Sequence, residues 1–133
     1  MKLHTRDINS SEPLKYVAET NEEVYAVGEV LKVASGALTK NAETDASPKY
    51  ISQAAGTGVT GGLHPVIEIQ PDMQFETTFY SASTAAGTVV VGDKVTLHTD
   101  GVQATFTTAS GIAEIVAFPS GVKKNGEPVI VKL

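Results

Sequence analysis

Apolar positions come in short runs separated by Gly, Asn, Asp and Pro. From Leu14 onward these runs are rich in β-branched and aromatic residues. That pattern predicts strands near 14–18, 24–27, 30–33, 49–53, 66–69, 73–79, 94–98, 102–107, 112–118 and 129–133. Several runs alternate with period two. Met73, Phe75, Thr77 and Phe79 fall on one face with Gln74, Glu76 and Thr78 on the other, and Val102, Ala104 and Phe106 oppose Gln103, Thr105 and Thr107. The last run puts Val129, Val131 and Leu133 on one side, with Pro128 at its start, where a missing amide donor does least harm. One phrase occurs twice: Val27-Gly28-Glu29-Val30-Leu31 followed by Gly36 and Leu38, and Val91-Gly92-Asp93-Lys94-Val95 followed by Leu97, Gly101 and Val102. In each copy a small-residue turn leads into a strand and a second glycine turns the chain again, which is the grammar of hairpins.

A helix over 20–31 is the rival reading, because Thr20-Asn21-Glu22-Glu23 resembles a capping box and Val24, Val27 and Leu31 have helical spacing. Gly28 and the three valines cost helix propensity with nothing to offset them, so two strands around Gly28 are favoured. Residues 39–48 read as a polar loop and 81–88 as a small-residue joint. The glycine-rich stretch 54–63 reads as a mobile loop or long hairpin tip. A phosphate-loop reading of 54–63 fails, since no Lys-Ser or Lys-Thr follows and the flanks are not a strand entering a helix.

The length of 133 residues suits one domain with a sizeable core. The expected division is an N-terminal arm over 1–15 and a single β-rich domain over 16–133, the polar start having only isolated apolar residues and no core of its own. Cysteine is absent, which excludes disulfides, zinc-thiolate sites and thiol chemistry. Ten basic against fifteen acidic residues give a net charge of −5, and the scattered Lys and Arg speak against a nucleic-acid groove. No stretch has the character of a signal peptide or a bilayer-spanning helix, so a soluble, cytoplasmically made protein is expected, with no membrane partner.

No reaction centre stands out. His4, His64 and His98 lack metal-ligand spacing and read as surface residues, His98 on the solvent face of a strand. No serine lies in a nucleophile elbow. Glu22, Glu23, Glu29, Asp72, Glu76, Asp93 and Asp100 fall in turns or on polar faces. An enzyme would need two of His64, His98 and the carboxylates to converge. Catalytic residues, cofactor and metal are therefore each read as none. The phenylalanines read as core, and Tyr50 as the ring most exposed.

The succession Tyr25-Ala26-Val27-Gly28-Glu29-Val30-Leu31-Lys32-Val33, Gly36-Ala37-Leu38-Thr39-Lys40, Pro48-Lys49-Tyr50-Ile51-Ser52-Gln53, Val91-Gly92-Asp93-Lys94-Val95-Thr96-Leu97 and Asp100-Gly101 resembles the small head-decoration, or capsid-cement, proteins of tailed bacteriophages and prophages. The resemblance runs from about Tyr16 to Leu133 and rests on turn phrases. It implies an all-β fold, a compact β-barrel or β-tulip-like domain with an extended N-terminal arm. It further implies a homotrimer that binds the major capsid protein on the capsid exterior after assembly in the host cytoplasm. By position and character Leu3, Ile8 and Leu14 would anchor the arm to the capsid by strand addition. The alternative from another class is a non-catalytic carbohydrate- or surface-binding β module, which would need exposed rings on one sheet face.

Overall fold

The computed structural model describes residues 1–5 and 14–133. The described residues form β1 (Lys2–Thr5), β2 (Lys15–Ala18), β3 (Val24–Tyr25), β4 (Val30–Ala34), β5 (Ala37–Lys40), β6 (Tyr50–Ser52), β7 (Gly56–Thr57), β8 (Leu63–Glu68), β9 (Gln74–Thr78), β10 (Lys94–Val95), β11 (Ala113–Ala117) and β12 (Pro128–Lys132). The class is all-β, as expected. One sheet has the order β1-β9-β12-β11-β10, a second β2-β8-β6-β4-β5, and β3 pairs with β7. Every named ladder is antiparallel. Both sheets are rolled. A parallel bridge from Glu19 to Leu38 joins the β2 and β5 edges, and Ala104 bridges Leu97 on one side and Phe79 on the other. The ladders stop short of a continuous closed barrel.

The repeated phrase is one local structure made twice. In Ala26-Val27-Gly28-Glu29 the Glu29 N–H donates to Ala26 O at 3.2 Å, and the Ala26 N–H donates to Glu29 Oε2 at 2.9 Å. In Val90-Val91-Gly92-Asp93 the Asp93 N–H donates to Val90 O at 3.1 Å, and the Val90 N–H donates to Asp93 Oδ2 at 2.9 Å. Gly28 at φ 80° and Gly92 at φ 94° supply the left-handed third position of a type II turn, which a side chain would strain. The acid at the fourth position folds back onto the first amide, and β4 or β10 follows. The Thr20-Asn21-Glu22-Glu23 phrase is a turn too: the Glu23 N–H donates to Thr20 O at 3.2 Å with Glu22 at φ 64°, so the chain enters β3 instead of a helix.

Alternation along β9, β11 and β12 gives the first sheet its core face, with Phe75, Ile115, Val129 and Val131 buried. Against it lie Val30 and Ile51 of the second sheet, and Phe79 stacks on Phe106 at 4.3 Å. The opposite face of the second sheet carries Leu31, Leu38 and Val66, which enclose a smaller core with Tyr25. The Tyr25 hydroxyl accepts the Thr20 N–H at 2.9 Å and donates to Leu38 O at 2.9 Å, fastening the turn before β3 to β5.

Several expectations are corrected. The polar start has no core of its own but docks on the domain: Met1 is buried in the main cluster, Leu3 packs against it, and β1 pairs with β9. The α-amino group of Met1 donates to Gly28 O at 2.5 Å, and burial pushes it from 8.0 down to about 6. The 102–107 run does not form a strand of its own; only Ala104 bridges its neighbours. β5 and β7 were not expected, and β8 begins at Leu63, ahead of the expected Val66.

Candidate functional site

Two regions hold the groups worth testing for function. The first is internal. Ser52 at the end of β6 and His64 in β8 lie on neighbouring strands, with Ser52 Oγ 2.8 Å from His64 Nε2. His64 Nδ1 is 3.4 Å from Glu19 Oε1, and Glu19 Oε2 accepts the Val59 N–H at 2.9 Å. The Tyr25 ring covers the imidazole at 4.3 Å between centroids. Acid, histidine and serine in this succession are the elements of an activated nucleophile. Two features of this cluster work against that chemistry. Ser52 is 0% exposed, so no substrate carbonyl can approach it. Its single hydrogen is also within reach of Ala54 O at 2.8 Å, a pure acceptor that competes with the imidazole for it. What the cluster does is tie β6, β8, the residue after β2 and the 54–59 segment into one hydrogen-bonded unit.

The sequence reading placed His64 at the surface, and this is corrected: it is 3% exposed. Its position in β8 opposite Val17 turns it onto the same inner face as Val66. Glu29 is corrected likewise. It lies in the expected turn but is 1% exposed beneath Gly101, with Oε1 3.3 Å from the Lys40 ammonium. That contact is misaligned for a hydrogen bond, so Lys40 acts on Glu29 Oε1 through charge alone. His98 is half-buried and stacks on Tyr80 at 3.6 Å, and His4 lies 3.7 Å from Glu76. Among the described residues no three His, Asp or Glu side chains gather to hold a metal.

The second region is external. Val30, Ile51 and Ile67 share one face of the second sheet by register and pack on the first sheet. The same face continues along β8 to Pro65 and Leu63, and across to Tyr16 and Ala18 of β2, which pair with them. There the covering sheet ends. Leu14 is 49% exposed, Tyr16 63% and Leu63 62%, an apolar overhang on an edge strand. The outer face of the first sheet differs: Lys2 pairs with Glu76 at 3.4 Å, and Glu114 stands opposite both Lys94 and Lys132. On the reverse side of β2, Lys15 pairs with Glu68, which also meets Lys49 at 3.4 Å. The Lys15 hydrogen bond holds the Glu68 carboxyl below its ordinary pKa, and Glu68 raises that of Lys15.

Of the three expected arm anchors, Leu14 sits in this overhang, Leu3 packs on the main core, and Ile8 lies outside the described residues. Tyr50 is half-buried against the smaller core, and Tyr16 is the more exposed ring. Burial of His64 and the overhang itself escaped the sequence reading. The alternation of Leu14, Tyr16 and Ala18 marked one apolar face, but only the placement of the first sheet leaves that face uncovered. Comparison with known proteins returns no match among family models, curated proteins or solved structures.

Proposed function

We propose that this chain is a structural virion protein that decorates and stabilises the outside of a tailed-phage capsid, binding the major capsid protein as a trimer. The reading begins from the resemblance of its turn phrases to head-decoration proteins. The observation that carries it furthest is the apolar overhang at Leu14, Tyr16 and Leu63, a surface suited to holding another protein. Of the groups that could have made a reaction centre, Ser52 and His64 are buried and Glu19 is half-buried, with His64 between the other two, which supports a binding role without catalysis.

The test is immunogold labelling, with antibody against the purified chain, of particles released by cells that carry its gene, alongside light scattering of the protein with and without residues 1–13. Label on the outside of phage heads and a trimeric mass support the reading; particles that carry no label overturn it. Tyr16, an exposed ring on a sheet face, favours the carbohydrate-binding alternative. A glycan array on which binding is lost in Tyr16→Ala, together with unlabelled particles, would select that reading instead.

A further inference from the structure

We propose that β2 is a self-association edge, at which two copies of this chain pair antiparallel about a twofold axis through Tyr16. β2 is terminal in its sheet. The Glu19 N–H donates to Gly62 O, so by strand alternation Val17 and Lys15 also turn their main-chain groups toward β8. Leu14, Tyr16 and Ala18 then face the open edge. The parallel Glu19–Leu38 bridge engages that edge from the Ala18 carbonyl onward and so limits the free main-chain groups to those of Leu14 and Tyr16 and the Ala18 N–H.

Edges that remain unpaired are usually blunted by charge, proline or bulges. The other edge strands of the two five-stranded sheets carry such protection. β1 has Lys2 and His4 and an irregular register, β10 has Lys94, and β5 ends in Lys40. The only charge on β2 is Lys15, and its ammonium is drawn onto Glu68. The edge therefore lacks the usual obstacle to pairing.

A second copy fits for three reasons. A twofold axis at Tyr16 sets Leu14 opposite Ala18, large against small, on both sides of the axis, and sets the two Tyr16 rings side by side. Leu63, next to Ala18, extends the apolar contact toward the Leu14 of the other copy. Lys15 falls opposite Val17, so no like charges meet. The patch also fixes the strength of the pair. Its three exposed side chains offer roughly 350 Å² of apolar surface per copy, or about 700 Å² in a pair, well under the ~1,200 Å² of a stable interface. The dimer is accordingly weak, with a Kd of about 10 μM or above. This inference draws on the same overhang as the virion reading but goes beyond it, since it needs a twofold pairing where that reading calls for a threefold assembly.

The test is sedimentation velocity of the full chain from about 10 μM to about 1 mM, comparing the native protein with Tyr16→Lys and, as control, Val33→Lys at another exposed β position. The expected result is a monomer–dimer equilibrium weakened at least about tenfold by Tyr16→Lys and left unchanged by Val33→Lys. Because the chain has no cysteine, Tyr16→Cys gives a second readout: oxidation yields a disulfide-linked dimer that Val33→Cys does not form. A native protein monomeric at every concentration overturns the proposal. So does a dimer that Tyr16→Lys leaves intact. A trimer indifferent to Tyr16 also overturns it, while leaving the virion reading standing.

Discussion

Two glycines in equivalent turns make a matched pair for measuring what the docking of β1 contributes. Gly28 and Gly92 hold the third position of the same turn, at φ 80° and φ 94°. Alanine at either position costs roughly 1–2 kcal/mol for the left-handed backbone. At Gly92 the added methyl meets nothing within 4 Å, whereas at Gly28 it would stand 2.4 Å from Met1 N and 2.5 Å from Met1 O. Both are backbone atoms and cannot rotate away, so Gly28→Ala must push the start of β1 out. The Met1 side chain then leaves the main core, at about 1.5–3 kcal/mol, and part of the β1–β9 ladder goes with it. Gly28→Ala should thus cost about 3–5 kcal/mol and Gly92→Ala about 1–2 kcal/mol. In urea the two midpoints should differ by roughly 1 M for a slope of about 2 kcal/mol/M. Hydrogen exchange should quicken at Glu76, whose N–H turns toward β1 while that of Phe75 turns toward β12, in Gly28→Ala alone. Equal midpoints and equal exchange in the two variants would refute the claim that β1 is held by its contact with the turn.

Three further outcomes are expected. His64→Leu should destabilise by about 2–4 kcal/mol in urea melts, more than Ser52→Ala, because it strands both Ser52 and Glu19; a fluorophosphonate probe should leave Ser52 unlabelled in the folded protein, and stoichiometric labelling there would reinstate a nucleophile. Ser35→Asn should raise stability by about 0.5 kcal/mol, since Ser35 at φ 51° and Gly36 at φ 78° form a two-residue turn of the primed type that favours Asn-Gly; a fall in melting temperature would show that Ser35 is needed for another reason. Burial raises the Tyr25 phenol above its usual 10.0. The unfolded chain therefore loses that proton first, and stability should fall as pH rises through 10. Tyr25→Phe should flatten this part of the pH profile, although it also loses two hydrogen bonds.

The fold was legible where local chemistry and tertiary demand coincide. Met73, Phe75, Thr77 and Phe79 were assigned inward from alternation alone, and all four are buried. Gly28 and Gly92 were assigned to turns, and the structure adds the acid that closes each one. Legibility failed where pairing depends on residues distant in sequence. β5 is short and partly polar and exists because Leu31 to Ala34 pair with it across a tight turn. The 102–107 run has a strand's alternation, yet its neighbours are the ends of two other strands and it makes only bridges. Leu3 looked isolated in a polar segment because its partner strand, β9, lies far along the chain.

The candidate sites were hidden for a related reason. In the sequence, His64 beside Pro65 carries no sign of whether it faces water, and the answer depends on the register of β8 against β2. A shift of one residue would exchange the two faces. It would carry Leu63, Pro65 and Ile67 into the smaller core and turn His64 and Val66 outward. The observed register instead buries the imidazole against Tyr25 and leaves Leu63 in the overhang beside Tyr16. The buried polar cluster and the exposed apolar edge are thus two results of one pairing. If the hydrogen bonds at His64 fix that register, they also keep Leu63 and Tyr16 at the surface. His64→Leu should then weaken self-association through Tyr16 as well as stability, although its side chain is turned away from the edge.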